Sequence, residues 1–212
     1  DYFTQKFEAL KLPHAYINLS WPDLKGFNKW VAAQTDLRGM NVTRPYKEQI
    51  IPYLHELSEE AALCGAVNCI KFEKGKRIGY NTDVLGFKNA LLEMLSGVLP
   101  KKALVIGNGG ASKAVIAALK QLGIKFLVAA RNPKNAEEIP LSYITHGHFI
   151  EHQLIINTTP VGMYPKVNEV LEIPYDALTS WHYCYDLIYL PTTTKFLEKA
   201  QRQGAKVANG LR

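Results

Sequence analysis

Lysine and aspartate side chains follow apolar segments in the first half of the chain, at points where strands are predicted to end. Lys47 closes the segment Asn41-Val42-Thr43-Arg44-Pro45-Tyr46-Lys47, and Asp83 closes Gly79-Tyr80-Asn81-Thr82-Asp83. A ketone that receives hydride also needs a proton at its oxygen, and a lysine oriented by a neighbouring carboxylate can supply that proton. The sequence therefore predicts that Lys47 and Asp83 form a pair for proton transfer.

Polar residues near this pair suit a substrate that carries several hydroxyl groups. Thr43 precedes the lysine in the same segment, and Asn68 closes Gly65-Ala66-Val67-Asn68. Both side chains offer hydrogen bonds. Structural interpretations stay open at this point, since Asp83 could be a helix cap, Lys47 a solvated first-turn lysine and Asn68 a turn former.

A glycine-rich turn in the middle of the chain predicts a dinucleotide-binding unit. The apolar run 103–106 leads into Gly107-Asn108-Gly109-Gly110-Ala111-Ser112, then a helical pattern, then a second apolar run at 125–130. Glycine lets the backbone approach a pyrophosphate, and the N-terminus of the following helix attracts phosphate. The spacing differs from Gly-x-Gly-x-x-Gly, so a tight structural turn is the alternative.

The end of the second apolar run favours NADP over NAD. Folds that bind NAD place an acid there for the ribose hydroxyls, whereas an arginine accommodates the 2′-phosphate of NADP. In this chain Ala130 is followed by Arg131 and Asn132, with Lys134 close behind. A guanidinium makes paired hydrogen bonds to phosphate, so Arg131 is the candidate 2′-phosphate ligand, with a solvated loop arginine as the alternative.

Composition and charge limit the classes of function. The 212 residues are 47% hydrophobic and 21% charged, and the formal charge of +6 comes from scattered lysines and arginines. Scattered basic residues argue against a nucleic-acid partner and agree with an anionic cofactor and substrate. No apolar run approaches the roughly 20 residues of a membrane span. The odd set of Cys64, Cys69 and Cys184 has no Cys-x-x-Cys pair and favours a cytoplasmic protein.

Alternating strand and helix patterns predict an α/β fold that positions these residues. We predict an N-terminal α/β domain at 1–98 and a C-terminal Rossmann-like dinucleotide-binding domain at 99–212, with Asp83 near the mouth of a cleft between them. Residues 15–19 are predicted as a strand and Pro22 as the start of a helix. A helix capped by Thr82 or Asp83 and carrying Leu85 is predicted to connect the domains.

The combined motifs resemble those of the shikimate dehydrogenases. They occur in the family's order over nearly the whole chain and include Asn157-x-Thr159-Pro160-x-Gly162-Met163 and Asp186-x-x-Tyr189-x-Pro191. The resemblance implies NADP-dependent, reversible reduction of 3-dehydroshikimate to shikimate, a step of chorismate and aromatic amino-acid biosynthesis. It also implies a cleft that closes between a substrate domain and a nucleotide domain.

The resemblance also implies roles for individual residues. Lys47 and Asp83 resemble the catalytic pair, with Lys47 as the proton donor to the C3 carbonyl. Substrate contacts are implied for Thr43, Asn68 and Tyr189. Cofactor contacts are implied for Gly107, Gly109, Gly110, Ala111 and Ser112 at the pyrophosphate, Arg131 at the 2′-phosphate and Met163 beside the nicotinamide. No metal is expected, since His146, His148 and His152 lack supporting ligands.

The sequence departs from the family pattern in three places. The family's Ser-x-Ser segment would precede Asp1 and its glutamine-bearing helix would follow Arg212, so we expect this segment alone to bind shikimate poorly. Ala130-Arg131-Asn132 also stands where the family has Asn-Arg-Thr. The alternatives are a quinate/shikimate dehydrogenase that uses NAD and a non-catalytic dinucleotide-sensing module. A monomer and a homodimer are both compatible with the sequence.

Overall fold

The structure is a computed structural model that describes residues 2–211. Contacts between residues divide the chain into two compact units, Asp1–Leu37 and Arg38–Arg212. Every candidate site residue lies in the second unit, and the proposed division at residue 98 stays a prediction. In the described part of the chain, no helix is long and apolar enough to cross a bilayer.

The first unit contains α1 (Tyr2–Ala9) and α2 (Phe27–Ala32). The prediction of a strand at 15–19 is wrong, because no strand of the described chain pairs with this segment. An isolated strand would leave its backbone N–H and C=O groups without partners. The helix predicted to begin at Pro22 begins at Phe27 instead.

The first sheet of the second unit brings three chain segments to one edge. Its strands are β1 (Gly39–Asn41), β2 (Glu56–Leu57), β3 (Cys69–Glu73) and β4 (Lys76–Tyr80), in the order β1-β3-β4-β2. Strand β3 runs antiparallel to both β1 and β4, and Cys69 at its start pairs with Asn41 and with Tyr80. The segments that follow β1 and β4 therefore meet the segment that precedes β3.

Three helices follow strands of this sheet, and the first and the third carry residues of the predicted site. They are α3 (Tyr46–Gln49), α4 (Glu59–Cys64) and α5 (Thr82–Leu95). The N-cap of α5 is Asn81, whose Oδ1 accepts hydrogen bonds from the N–H groups of Asp83 and Val84 at 3.1 and 3.2 Å. The prediction that Thr82 or Asp83 caps this helix is wrong, and the Asp83 carboxylate is left available for another contact.

The second sheet is entirely parallel among the described residues. Its strands are β5 (Lys102–Ile106), β6 (Lys125–Ala130), β7 (Glu138–Pro140), β8 (Leu154–Asn157), β9 (Tyr183–Asp186) and β10 (Lys206–Asn209). Their order is β10-β9-β8-β5-β6-β7, so the direction of winding reverses at β5. Ligands of such sheets bind at the carboxyl ends of the strands beside this reversal, and the glycine-rich turn follows β5. The predicted α/β class with a Rossmann-like sheet is confirmed.

Helices cover both faces of the parallel sheet, which explains why β8 and β9 are buried along their whole length. The helices are α6 (Gly110–Gln121), α7 (His146–Glu151) and α8 (Lys195–Arg202), together with α5. Val105 packs with α5 and α6 through residues such as Leu91 and Leu119, whereas Leu104 packs with Phe196 of α8. Within α5, Val84 is fully buried, whereas its neighbour Leu85 is 49% exposed.

Candidate active site

Lys47 and Asp83 form the predicted pair. Lys47 Nζ donates a hydrogen bond to Asp83 Oδ2 at 2.8 Å, joining α3 to the first turn of α5. The two side chains are 34% and 51% exposed. Exposed ion pairs contribute only ~0–1 kcal/mol to stability, so folding gives little reason for this contact. The arrangement instead leaves a charged amine open to a ligand at the edge of the first sheet.

One short segment holds both members of this pair. The Val67 N–H donates to the carbonyl oxygen of Lys47 at 2.7 Å. The buried Asn81, which caps the helix of Asp83, donates through Nδ2 to the carbonyl oxygen of Ala66 at 2.9 Å. Since Ala66 and Val67 are adjacent, the backbones that carry the lysine and the aspartate are fixed relative to each other.

The other predicted substrate residues lie at the same edge. Asn68 pairs with Thr82 twice: its Oδ1 accepts from the Thr82 N–H and its Nδ2 donates to Thr82 Oγ1, both at 2.9 Å. The carbonyl oxygen of Asn68 accepts from the Val42 N–H at 2.9 Å, which brings the exposed Thr43 beside it. The structure thus gathers Thr43, Asn68, Lys47 and Asp83.

The glycine-rich turn contains glycines of two kinds. Gly107 has a φ of +109°, and a Cβ at this position would lie 2.6 Å from Thr158 Oγ1, so the chain itself requires glycine here. A Cβ on Gly109 or Gly110 would meet no atom within 4 Å. These two glycines leave open space in front of the N-terminus of α6, whose first N–H groups have no partner within the helix. This cradle fits the pyrophosphate of a dinucleotide.

The side chain of Ser112 serves the turn itself. Its hydroxyl donates to the carbonyl oxygen of Gly109 at 2.6 Å, and the residue is only 2% exposed. Any contact of Ser112 with a phosphate would therefore use its backbone N–H. The same holds for Ala111, which has no polar side chain.

An ion pair joins the glycine-turn helix to the element that carries the lysine. Lys113 Nζ, in the first turn of α6, lies 2.6 Å from Glu48 Oε1 of α3. Glu48 follows Lys47 directly. The N-terminus of α6 and the Lys47–Asp83 pair are therefore neighbours, as a reaction that takes hydride from a bound dinucleotide and a proton from a side chain requires.

Arg131, directly after β6, is exposed, and its side chain forms no hydrogen bond or ion pair with residues 2–211. Lys134 is used differently from Arg131. Its Nζ donates to the carbonyl oxygen of Asn108 at 2.7 Å and so supports the glycine-rich turn. Arg131 thus remains available for an anionic ligand, as the sequence predicts.

Met163 and Tyr189 lie on the loops that follow β8 and β9. They are 46% and 62% exposed, and the loops are linked by a hydrogen bond from the Tyr164 N–H to the carbonyl oxygen of Leu190 at 3.2 Å. Both loops leave the carboxyl edge of the parallel sheet, where the glycine-rich turn also lies.

Comparison with known proteins identifies the family. The family model for the shikimate dehydrogenase substrate binding domain matches residues 1–70. Shikimate dehydrogenase (NADP(+)) of Carboxydothermus hydrogenoformans is 37% identical to this chain over 98% of its length and 79% of the relative's own. The chain belongs to the shikimate dehydrogenase family.

Solved shikimate dehydrogenases share the fold. Shikimate 5-dehydrogenase from Listeria monocytogenes, in complex with shikimate and NAD, gives a TM-score of 0.86 at 30% identity and covers 99% of this chain and 80% of its own. The Thermus thermophilus enzyme, in complex with NADP(H) and shikimate, gives 0.75 at 32% identity and covers 97% and 79%. The predicted family is therefore confirmed across both sheets.

Asp186 supports the loops at the carboxyl edge of the parallel sheet, and no role is predicted for it from the sequence. It is fully buried at the end of β9 and accepts hydrogen bonds from Asn157 Nδ2 at 3.1 Å, Thr194 Oγ1 at 2.6 Å and the Ile188 N–H at 3.0 Å. Burial raises the pKa of this carboxyl above its usual range, against the opposing effect of the three donors. The sequence carries a signal for this role, because a carboxylate at the end of an apolar strand must find hydrogen-bond partners when it is buried.

Among residues 2–211, no group of His, Cys, Asp and Glu side chains could hold a metal ion. Histidines in and directly after α7 have other partners: His146 Nε2 lies 2.9 Å from Asp176 Oδ2, and His152 Nδ1 lies 2.7 Å from the carbonyl oxygen of His148.

Proposed function

We propose that the chain catalyses the reversible, NADP-dependent reduction of 3-dehydroshikimate to shikimate. The observation that carries this proposal is the Lys47–Asp83 contact of 2.8 Å, placed beside the glycine-turn helix by the Glu48–Lys113 ion pair. A relative that is 37% identical to this chain is named shikimate dehydrogenase (NADP(+)), which supports the same reaction here. A dinucleotide-sensing module would need the glycine-rich turn but not an oriented lysine.

The proton is handled by the chain's own side chains. NADPH, when bound, supplies the hydride. Lys47 Nζ donates a proton to the oxygen of the C3 carbonyl as the alcohol forms, and Asp83 holds the amine in place. Because the Lys47 side chain is 34% exposed, it can recover the proton from solvent. In the oxidation direction the neutral amine accepts the proton of the C3 hydroxyl.

Substrate and cofactor binding are assigned to the remaining predicted residues. Thr43, Asn68 and Tyr189 offer hydrogen bonds to the hydroxyl groups of shikimate. Asn68 keeps one Nδ2 hydrogen for this purpose, since its pairing with Thr82 uses only the other. The pyrophosphate would lie on the N–H groups that start α6, the 2′-phosphate on Arg131 and the nicotinamide beside Met163.

A second candidate, use of NAD, is favoured by the Listeria structure, which contains shikimate and NAD. Arg131 argues for NADP in this chain, because an exposed arginine without a partner among residues 2–211 can bind the charged 2′-phosphate through paired hydrogen bonds, whereas a ribose hydroxyl carries no charge to match it.

Turnover of the full-length protein with shikimate or quinate against NADP⁺ or NAD⁺ separates these functions. We expect the largest kcat/KM for shikimate with NADP⁺. Arg131→Ala should raise the KM for NADP⁺ roughly tenfold, which is ~1.4 kcal/mol of binding, and leave that for NAD⁺ nearly unchanged. No turnover with any pair, despite measurable cofactor binding, would contradict the proposed enzyme and favour the sensing module.

We also propose that the enzyme acts in the cytoplasm as a monomer or homodimer. The free thiols of Cys64, Cys69 and Cys184 agree with a reducing compartment. Light scattering of the active protein tests the assembly, and a larger stable oligomer would contradict it.

A further inference from the structure

The connection between β6 and β7 is short for a parallel pair. It consists of the seven residues 131–137 and contains no helix, although Ala129 and Ile139 pair in parallel register. Parallel strands are commonly joined by a crossover of about a dozen residues or more, usually a helix. A loop of this length must hold its shape by other contacts, and Arg131 is its first residue.

The carboxylate of Glu138, at the start of β7, fills the inside of this loop. Its Oε2 accepts hydrogen bonds from Asn108 Nδ2 at 2.6 Å and from the Lys134 N–H at 2.9 Å. Its Oε1 accepts from Asn135 Nδ2 at 3.1 Å. Hydrogen bonds to an ionised acceptor are shorter and stronger than neutral ones, so one side chain joins the loop to the glycine-rich turn.

Two further contacts close the same network. Asn108, which lies between the first two glycines of the turn, donates through Nδ2 to the carbonyl oxygen of Asn132 at 2.9 Å. Lys134 Nζ donates to the carbonyl oxygen of Asn108 at 2.7 Å. The segment directly after Arg131 is therefore tied to the turn that would cradle the pyrophosphate.

We propose that Glu138 is a positioning residue that determines the preference for the 2′-phosphate of NADP. It acts through Arg131, by holding the loop 131–137 against the glycine-rich turn so that Arg131 lies at a fixed distance from the pyrophosphate cradle. This inference rests on the proposed NADP-dependent function.

Glu138 does not act as a ribose ligand of the kind that selects NAD. An acid in that role accepts hydrogen bonds from the ribose hydroxyls. The oxygens of Glu138 already accept from three protein donors, and the half-buried carboxylate lies within the loop network. The carboxylate of Glu138 therefore organises the loop and does not occupy the position at which the 2′-phosphate of NADP would bind.

The test compares kcat/KM for NADP⁺ with kcat/KM for NAD⁺ in Glu138→Ala. We expect the NADP⁺/NAD⁺ ratio to fall about tenfold, while the NAD⁺ value changes less than about twofold, because NAD⁺ lacks the phosphate that Arg131 would bind. Glu137→Ala is the matched control. It removes the same charge from the preceding residue, whose exposed carboxylate forms no hydrogen bond with the described chain. The control should keep the wild-type ratio.

A double variant tests whether Glu138 acts through Arg131. In the Arg131→Ala background, Glu138→Ala should leave the ratio unchanged. A further, independent fall would overturn the proposal, and so would an equal loss with both cofactors. Where Glu138→Ala does not fold, Asn108→Ala removes the turn's donor to the same carboxylate and should lower the ratio in the same direction. A wild-type protein that shows no preference for NADP⁺ contradicts the proposed function and not the positioning role alone.

Discussion

Glycine serves two purposes within the turn that follows β5. Gly107 is required by the chain, because of its positive φ and the close approach of Thr158, whereas Gly110 borders only open space. We expect Gly107→Ala to lower the free energy of unfolding by ~2–4 kcal/mol. Gly110→Ala should leave thermal stability unchanged and raise the KM for NADP⁺ roughly tenfold. Melting curves and steady-state kinetics check both, and a normal KM in Gly110→Ala would contradict a pyrophosphate at this position.

His152 makes stability depend on pH. It is 6% exposed, and burial lowers the pKa of its imidazole below the usual range. The unfolded chain takes up a proton near pH ~6.5 and the folded chain only at lower pH, so stability falls as the pH drops through this window.

The matched variant for this effect is His152→Asn, whose Nδ2 can keep the hydrogen bond to the carbonyl oxygen of His148 but cannot titrate. The melting temperature of the wild type should fall more steeply between pH ~7 and ~5 than that of the variant. Equal slopes in thermal denaturation would contradict the assignment.

The contact between Lys47 and Asp83 could be predicted from the sequence, whereas the contacts that support it could not. Lys47 and Asp83 follow predicted strand ends, and their residue types point to proton transfer. Asn81, Thr82 and Asp83 are all common N-caps, so their order alone does not show which one caps the helix. The tertiary structure makes Asn81 the N-cap, because the carbonyl oxygen of Ala66 accepts a hydrogen bond from the Asn81 side chain and holds it in place.

At the level of elements, Asp186 joins the loops after β8 and β9 to the start of α8. Thr194 donates to Asp186 at 2.6 Å and caps α8 by accepting from the Leu197 N–H at 3.4 Å. Thr194→Val removes both contacts and should lower stability by ~1–2 kcal/mol. Thr193→Val, at the exposed neighbour, should change it by less than ~0.5 kcal/mol. Urea unfolding measures both, and equal effects would contradict the role of Thr194.

The central apolar strands β5 and β6 were easier to predict than short or edge strands. The runs at β5 and β6 are continuous and apolar because helices cover the parallel sheet on both faces. β7 has three residues and β10 lies at the sheet edge, so neither has a distinctive pattern. The segment 15–19 shows the opposite failure, since it has strand composition but no partner strand among the described residues.

For the second unit as a whole, one hydrophobic core continues from α4 and α5 into α6 and β5. Leu91 of α5 is fully buried in this core. Leu91→Ala should lower the free energy of unfolding by ~2–5 kcal/mol through the cavity it leaves. Because the core is shared, far-ultraviolet circular dichroism and ligand-free fluorescence should report one shifted transition.

Leu85→Ala is the control on the same helix, since Leu85 is 49% exposed. It should change stability by less than ~0.5 kcal/mol. Separate transitions in Leu91→Ala, one for each sheet, would show that the two halves of this unit unfold independently and would support the proposed boundary at residue 98.

The central claim is that Lys47, oriented by Asp83, moves the proton of the reaction. The most direct measurement is the absorbance of reduced nicotinamide during shikimate oxidation by full-length wild type, Lys47→Ala and Asp83→Asn, together with NADP⁺ binding to each. We predict that kcat falls by roughly 10²- to 10⁴-fold in Lys47→Ala and falls in Asp83→Asn, with NADP⁺ affinity unchanged. A Lys47→Ala variant that retains the wild-type kcat would contradict the account.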